Sequence, residues 1–318
     1  MNSVKRILIK GKDTPGVLTL VALVVLIIVF SNTSKYFFTA NNMLAILLSA
    51  STVSYIAAGQ FMVLLAGYFD MSVGNVAAMA GVIFALLINA GVAVPMAILV
   101  ALCFGLFSGF IAGYCIARFN TNAFVTTFAL LQIYRGILFV LTGGMTISVH
   151  PNEAFRFIGT YKLFGVIQMP IVIMLVIFGL FSFILKYTRL GRSVYCVGNN
   201  PEAANISGID VPKTKIFTYV MTGLFAALTG VVFTSRINSG QPNLGATYAL
   251  DTIAAAVIGG TSMMGGKGNI WGAFIGIIIV YVIQNGLVMS GLDASYHYIA
   301  TGLIMFFAVL AQTEKIKK

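Results

Sequence analysis

Long apolar runs separated by short polar breaks set the pattern of this chain. Read in order, apolar segments are predicted over Pro15–Ser31, Asn41–Ala66, from Asp70 to Asn89, Pro95–Arg118, Asn122–Leu141, Pro170–Lys186, Ile216–Ser235, Thr252–Met264, from Gly268 to Met289 and Ser295–Ala311. Most approach the ~20 residues that span a ~30 Å hydrocarbon core as a helix. The fold class that follows is an all-α polytopic membrane protein of about ten transmembrane helices, some short or broken. Thr252–Met264 is short for a full crossing. A broken or partly re-entrant helix is tolerated there if protein covers its backbone. Gly143–Gln168 and Ser239–Leu250 are polar and poor in cations, and are read as external loops.

The longest basic interruption is Lys186 to Lys215, KYTRLGRSVYCVGNNPEAANISGIDVPKTK. In its middle, Asn200 suits a helix cap, Pro201 the first helical position and Glu202 the positive end of the helix dipole. Gly208 suits the end of that short helix. Two readings stand: a docking surface for a soluble partner, or an ordinary cytoplasmic loop that satisfies its own backbone.

Composition closes off the soluble classes. The chain has 318 residues, 59% hydrophobic and 8% charged, with a mean hydropathy of +0.99. Soluble domains carry about 25% charged residues. The net charge of +11 lies in tails and short loops, where it sets topology and does not suggest nucleic acid. Ten crossings leave Lys35, Arg156, Lys162 and Arg236 outside, Arg135 within the membrane and every other Lys and Arg inside, so both termini are expected to be cytoplasmic. A single transmembrane domain over 1–318 is expected, with a cytoplasmic loop at about 187–213. Cys103, Cys115 and Cys196 lack metal-ligand spacing, and His150 and His297 stand alone, so none receives a role.

Chemistry-bearing residues at membrane depth are few. Asp70 sits at a break flanked by Gly67 and Gly74, and reads either as a functional acid or as the cap of the next helix. Arg135 in FALLQIYRGILFV should face the bundle interior or snorkel. It would pair with Asp70 or Asp251, or contact a ligand. Asp251 heads LDTIAAAVIGGTSMMGG, where capping is the plainer reading. Gly265-Gly266-Lys267-Gly268 fails the phosphate-loop spacing, which excludes nucleotide binding here. No clustered His and Cys set or helically spaced carboxylate pair provides for catalysis. Gln60, Asn75, Thr126, Thr127 and Gln284 carry hydroxyls and amides in glycine-rich or broken spans and are candidate lining groups. Each could equally make an interhelical hydrogen bond.

Several longer blocks resemble one family. GRSVYCVGNNPEAANISGIDVPKTK, TGLFAALTGVVFTSRINSGQPNLGATYALDTIAAAVIGGTSMMGGKGNIWGAF and QNGLVMSGL are similar to permease subunits of ribose-type sugar ABC importers, within the branched-chain amino acid/ribose permease family. GQFMVLLAGYFDMSVGN and NAFVTTFALLQIYRG look like its two N-terminal blocks, so the likeness runs from about Asn41 to Leu310. The resemblance implies a multi-pass permease of the bacterial inner membrane that imports a sugar or sugar-like solute by alternating access. It implies a cytoplasmic ATPase docked on Pro201, Glu202, Ala203, Ala204 and Gly208, with ATP and Mg on that partner and no cofactor on this chain. A solute-binding protein outside and a second permease copy or paralogue complete the implied assembly. Asp70, Arg135 and Asp251 join the five neutral residues as candidate pathway groups. The chain departs from the family pattern at Ala249, where an acid usually precedes Leu250-Asp251, and at Tyr68-Phe69, where Gly-Ile usually precedes the acid. Those departures bear on which solute is carried. The rival classes are an ion-coupled secondary transporter, for which Asp70 is a thin basis, and a membrane-embedded enzyme, which lacks a catalytic constellation.

Overall fold

A computed structural model describes residues 15–150, 152–293, 295–303 and 306. The basic tail Met1–Asp13, the end of the last predicted span and the C-terminal lysines lie outside the described residues. The helices are α1 (Pro15–Thr33), α2 (Ala40–Leu65), α3 (Val73–Asn89), α4 (Val94–Arg118), α5 (Ala123–Thr142), α6 (Glu153–Thr160), α7 (Met169–Tyr187), α8 (Arg189–Asn199), α9 (Pro201–Ile206), α10 (Val211–Ile237), α11 (Tyr248–Ile258) and α12 (Ile270–Met289). A further helical stretch covers 296–303. Among the described residues, α2, α4, α5, α7, α10 and α12 are long and apolar enough to cross a membrane. The protein is therefore an all-α polytopic membrane protein.

Helix α10 is the hub. It packs along α4, α3 and α2, and small residues permit the close approach. A Cβ on Gly105 or Gly109 of α4 would run into the α10 backbone at Gly223 and Tyr219. One on Gly230 of α10 would run into Ala77 of α3. This is small-residue packing of the kind that holds helices together where lipid offers no hydrophobic drive. Helix α12 meets α11 in the same way, through Gly272 and Gly276 against Gly259 and Ala255.

The short eighth segment begins and ends earlier than the apolar run suggests. Helix α11 stops at Ile258, and residues 259–269 form turns with Gly260, Gly265 and Gly266 at positive φ. Its 11 residues rise about 16 Å at 1.5 Å each, roughly half of a ~30 Å core. The turns are tied to the end of α2 and to themselves: Gly266 N donates to Leu65 O at 2.8 Å and Ser262 N to Lys267 O at 2.8 Å.

The polar loop between α5 and α7 is more ordered than its composition suggests. It holds β1 (Ile147–Ser148), α6 and a hairpin of β2 (Lys162–Leu163) and β3 (Ile167–Gln168). Strand β1 pairs antiparallel with β4 (Ser239–Gly240), just beyond α10. These pairs mark one end of the bundle, and α8 and α9, which precede α10, mark the other.

Helix α5 is the least covered of the long helices. It buries only Thr127, Tyr134, Leu138 and Thr142, and leaves Gln132 and Arg135 exposed together with a broad apolar face.

Candidate functional site

The basic stretch folds as two helices where sequence reasoning placed one. Thr188 caps α8, its hydroxyl accepting from Gly191 N at 3.2 Å. Asn200 then caps α9, its Oδ1 accepting from Glu202 N and Ala203 N, both at 3.0 Å. Pro201 occupies the first turn, where its missing N–H costs nothing. Gly208, at φ +80°, closes the helix. Gly208 N donates to Asn205 O and Ile209 N to Ala204 O, both at 3.0 Å, satisfying carbonyls that would otherwise be orphaned. Ala204 is buried with Val197, Val211 and Ile209, while Pro201, Glu202, Ala203 and Gly208 are exposed. Ile206, which the sequence did not single out, is 87% exposed beside them. The six-residue helix thus presents one large apolar side chain at the surface.

Helix α8 is held by more than its own caps. A Cβ on Gly198 would overlap Leu65 O and lie 2.6 Å from Gly266 N. Tyr195 Oη donates to Gly268 O at 3.0 Å. The end of α2 and the turns after α11 are therefore both clamped against α8. Asp210 caps α10 through Lys213 N at 3.0 Å and pairs with Lys213 Nζ at 2.8 Å. The side-chain hydrogen bond from Lys213, then its backbone N–H, hold the Asp210 carboxyl below its ordinary value.

The nominated pathway residues fall into separate places. A cavity of about 380 Å³, at the bundle end opposite α9, is lined by Asp251 and Gln284 together with Ser49, Thr52, Arg236, Tyr248, Tyr281, Asn285 and His297. A smaller cavity of about 150 Å³ lies between α3, α5 and residues 242–250, lined by Asn75, Arg135, Asn243 and Ala249. Asn75 Nδ2 donates to Leu131 O at 2.7 Å and ties α3 to α5. Thr127 is buried beside the Asp70 turn, donating to Ala123 O and accepting from Met71 N at 3.1 Å. Thr126 bonds Thr121 at 2.8 Å and lines neither cavity. Gln60 is fully buried in α2, both its amide atoms unpartnered among the described residues, and also lines neither.

Three sequence expectations are corrected here. Arg135 forms no ion pair with Asp70 or Asp251 among the described residues; it is exposed, with Phe139 at 5.9 Å. Helix α5 is too sparsely packed to bring an acid to it. Asp251 is not a cap, because α11 begins three residues earlier. Its carboxylate instead lies 3.4 Å from His297 Nε2. His297 seemed solitary because its partner is distant in sequence and only the packing unites them. Asp70 does not occupy the N-cap position of α3, which is Ser72. It braces the preceding turn, accepting from Ser72 N at 2.8 Å and Ser72 Oγ at 2.6 Å.

Comparison with known proteins decides the family. The family described as "Branched-chain amino acid transport system / permease component" matches residues 42–309. The chain belongs to this permease family. It is 38% identical over 294 residues to the ribose import permease protein RbsC of Haemophilus influenzae, covering 92% of this chain and 91% of that one. It is 35% identical over 294 residues to RbsC of Bacillus subtilis, with the same coverage of 92% and 91%. To the L-arabinose transport system permease protein AraH of Escherichia coli it is 34% identical over 284 residues, 88% of this chain and 85% of the relative. No solved structure matches the chain. This permease is thus the multi-pass inner-membrane subunit of a bacterial importer of the ABC type, and not itself an enzyme. The membership sets aside the secondary-transporter and membrane-enzyme classes.

Proposed function

We propose that this permease forms the solute pathway of an ATP-driven sugar importer and that α9 is the element its ATPase grips. The observation that carries the reading is α9 itself: a capped helix with an exposed isoleucine, joined to a helix clamped against the end of α2 and the glycine-rich turns after α11. ATP binding and hydrolysis, with Mg, belong to the partner. Closure of that partner on Pro201, Glu202, Ala203, Ala204 and Gly208 would displace α8, and α8 would carry the motion to the end of α2 and to residues 262–268. Packed elements pass such displacements on as switches between discrete arrangements.

In this reading the chain is a single domain that crosses the membrane ten times, with both termini and the 187–213 loop in the cytoplasm. A binding protein delivers the solute to the opposite end. A second permease copy or paralogue covers α5, whose exposed Gln132 and Arg135 are costly against lipid. Asp70, Asn75, Thr127 and Arg135 then lie at or near the resulting pathway, while Gln60 and Thr126 are assigned to it by their spans alone. The ribose and arabinose permeases among the relatives support a sugar as the solute.

The test is reconstitution of the permease with its ATPase and binding protein in proteoliposomes. Sugar uptake should require ATP inside. Uptake driven by an ion gradient without the ATPase would overturn the proposal.

A further inference from the structure

The larger cavity is not used by the pathway at α5. It is lined within one protomer by residues of α2, the end of α10, α11, α12 and the 296–303 helix. Its volume of about 380 Å³ falls in the range of roughly 300–1,000 Å³ typical of small-molecule sites. Resting on the sugar-importer reading above, we propose that this cavity is a second, intra-protomer binding site for a neutral monosaccharide at the end of the bundle away from α9.

Three observations carry it. First, the wall is polar where a membrane bundle should be apolar: Asp251 and His297 are 4% and 7% exposed and both line the cavity, with Arg236 across from them. Second, much of that polarity has no internal use. The hydroxyls of Tyr248 and Tyr281 and the amide of Gln284 make no hydrogen bond among the described residues, whereas the neighbouring Asn285 is tied to Asn42 in both directions at 2.9 and 3.0 Å. Among the described residues Arg236 makes only long hydrogen bonds, at 3.4 Å, to Leu48 O and Thr52 Oγ1. A purely structural cluster would pair its members with one another.

Third, the charges select a neutral guest. One carboxylate and one guanidinium offset each other, so an ion gains little net Coulomb attraction. A polyol donates and accepts in equal measure and meets both kinds of group, with tyrosine rings for its C–H faces. A site on a transport route has to release what it takes, so the affinity should be weak, in the millimolar range.

The experiment uses the full-length permease in lipid nanodiscs without its partners, with D-ribose and L-arabinose as probes in ligand-observed NMR. A saturable signal is expected with at least one of them. Gln284→Ala and Tyr281→Phe should each weaken it about five- to tenfold, the size of one lost hydrogen bond. Unchanged melting temperatures would show that both variants fold. Absence of a saturable signal for the native chain, or variants that bind as well as it does, would overturn the site. Proteoliposomes of the complete importer separate the two readings. ATP-driven pentose uptake without binding in the nanodisc rejects the cavity and keeps the importer reading. No ATP-driven uptake of any pentose or hexose rejects both.

Discussion

Gly198 in α8 lies so close to Leu65 at the end of α2 that a side chain on the first would occupy the carbonyl oxygen of the second. The contact is backbone against backbone, so no rotamer change relieves it. Gly198→Ala should therefore push α8 away from α2 and from Gly266. Overpacking of this kind costs about 1–3 kcal/mol. A lower melting temperature in detergent should accompany a loss of ATP-driven uptake. Gly208→Ala is the contrast. There a Cβ meets nothing within 4 Å, and only the φ of +80° opposes it, at about 1–2 kcal/mol.

Ile206 and Asn200 separate docking from folding. Ile206 is almost fully exposed, so Ile206→Ser should change permease stability by no more than about 0.5 kcal/mol. It should nevertheless reduce the amount of ATPase that co-purifies. Asn200→Ala removes the acceptor of two N–H groups and should cost about 1 kcal/mol in α9. Its effect on ATPase binding should be rescued by Asn200→Asp.

Arg135→Gln removes an exposed charge at membrane depth, where a charge costs at least ~2.5 kcal/mol. Insertion and yield should be equal or better, and ATPase association unchanged. Sugar uptake should fall, because the group that lines the smaller cavity is gone. Full uptake by this variant would remove Arg135 from the pathway.

The amides of Asn42 and Asn285 form a closed pair between α2 and α12. Asn42→Ala strands the Asn285 amide, and Asn285→Ala leaves Asn42 its bond to Phe37 O alone; each should cost about 0.6–2 kcal/mol. The double variant should cost less than the sum of the two. A thermal-unfolding double-mutant cycle measures that coupling.

Asp210 predicts a pH dependence with a definite sign. Its carboxyl titrates lower in the folded chain than in the unfolded one, because Lys213 donates to its charged form. A depressed folded value contributes stability above the unfolded value of about 3.9 and loses it as pH falls through the folded value. Unfolding of the 200–215 region, followed by hydrogen exchange, should be insensitive to this group between about pH 5 and 8 and accelerate only in more acid solution. Asp210→Asn keeps the cap and should abolish that acid acceleration.

Much of the helical layout was legible because hydropathy is a local signal. The starts and stops of α2, α4, α5 and α7 lie within a residue or two of the apolar runs. The α9 helix was legible for another local reason: Asn200, Pro201 and Gly208 each carry a backbone instruction. Helix α8 was not, because RLGRSVYCVGN is polar on one face and its glycines read as breakers. Gly191 allows a close approach to Ile184 and Leu185 just before it, and Gly198 one to Leu65 and Gly266, which sequence order does not reveal. The start of α10 at Val211 was hidden by Lys213 and Lys215, which look like loop cations. In the fold Lys215 is buried, its ammonium 4.8 Å from the Tyr68 ring. The larger cavity was half legible. Asp251 and Gln284 drew notice as polar residues in apolar runs, but Arg236 looked like an external charge and His297 like a bystander. Their assembly depends on helices far apart in the chain.

The early stop of α11 has a bearing on distance. Because that helix has only 11 residues, the turns that touch α8 and the carboxylate facing His297 lie along the same short rod. A shift begun at the membrane surface has only those 11 residues to traverse before it reaches the polar chamber. Conformational control and solute contact can thus be neighbours in this permease without any long internal relay.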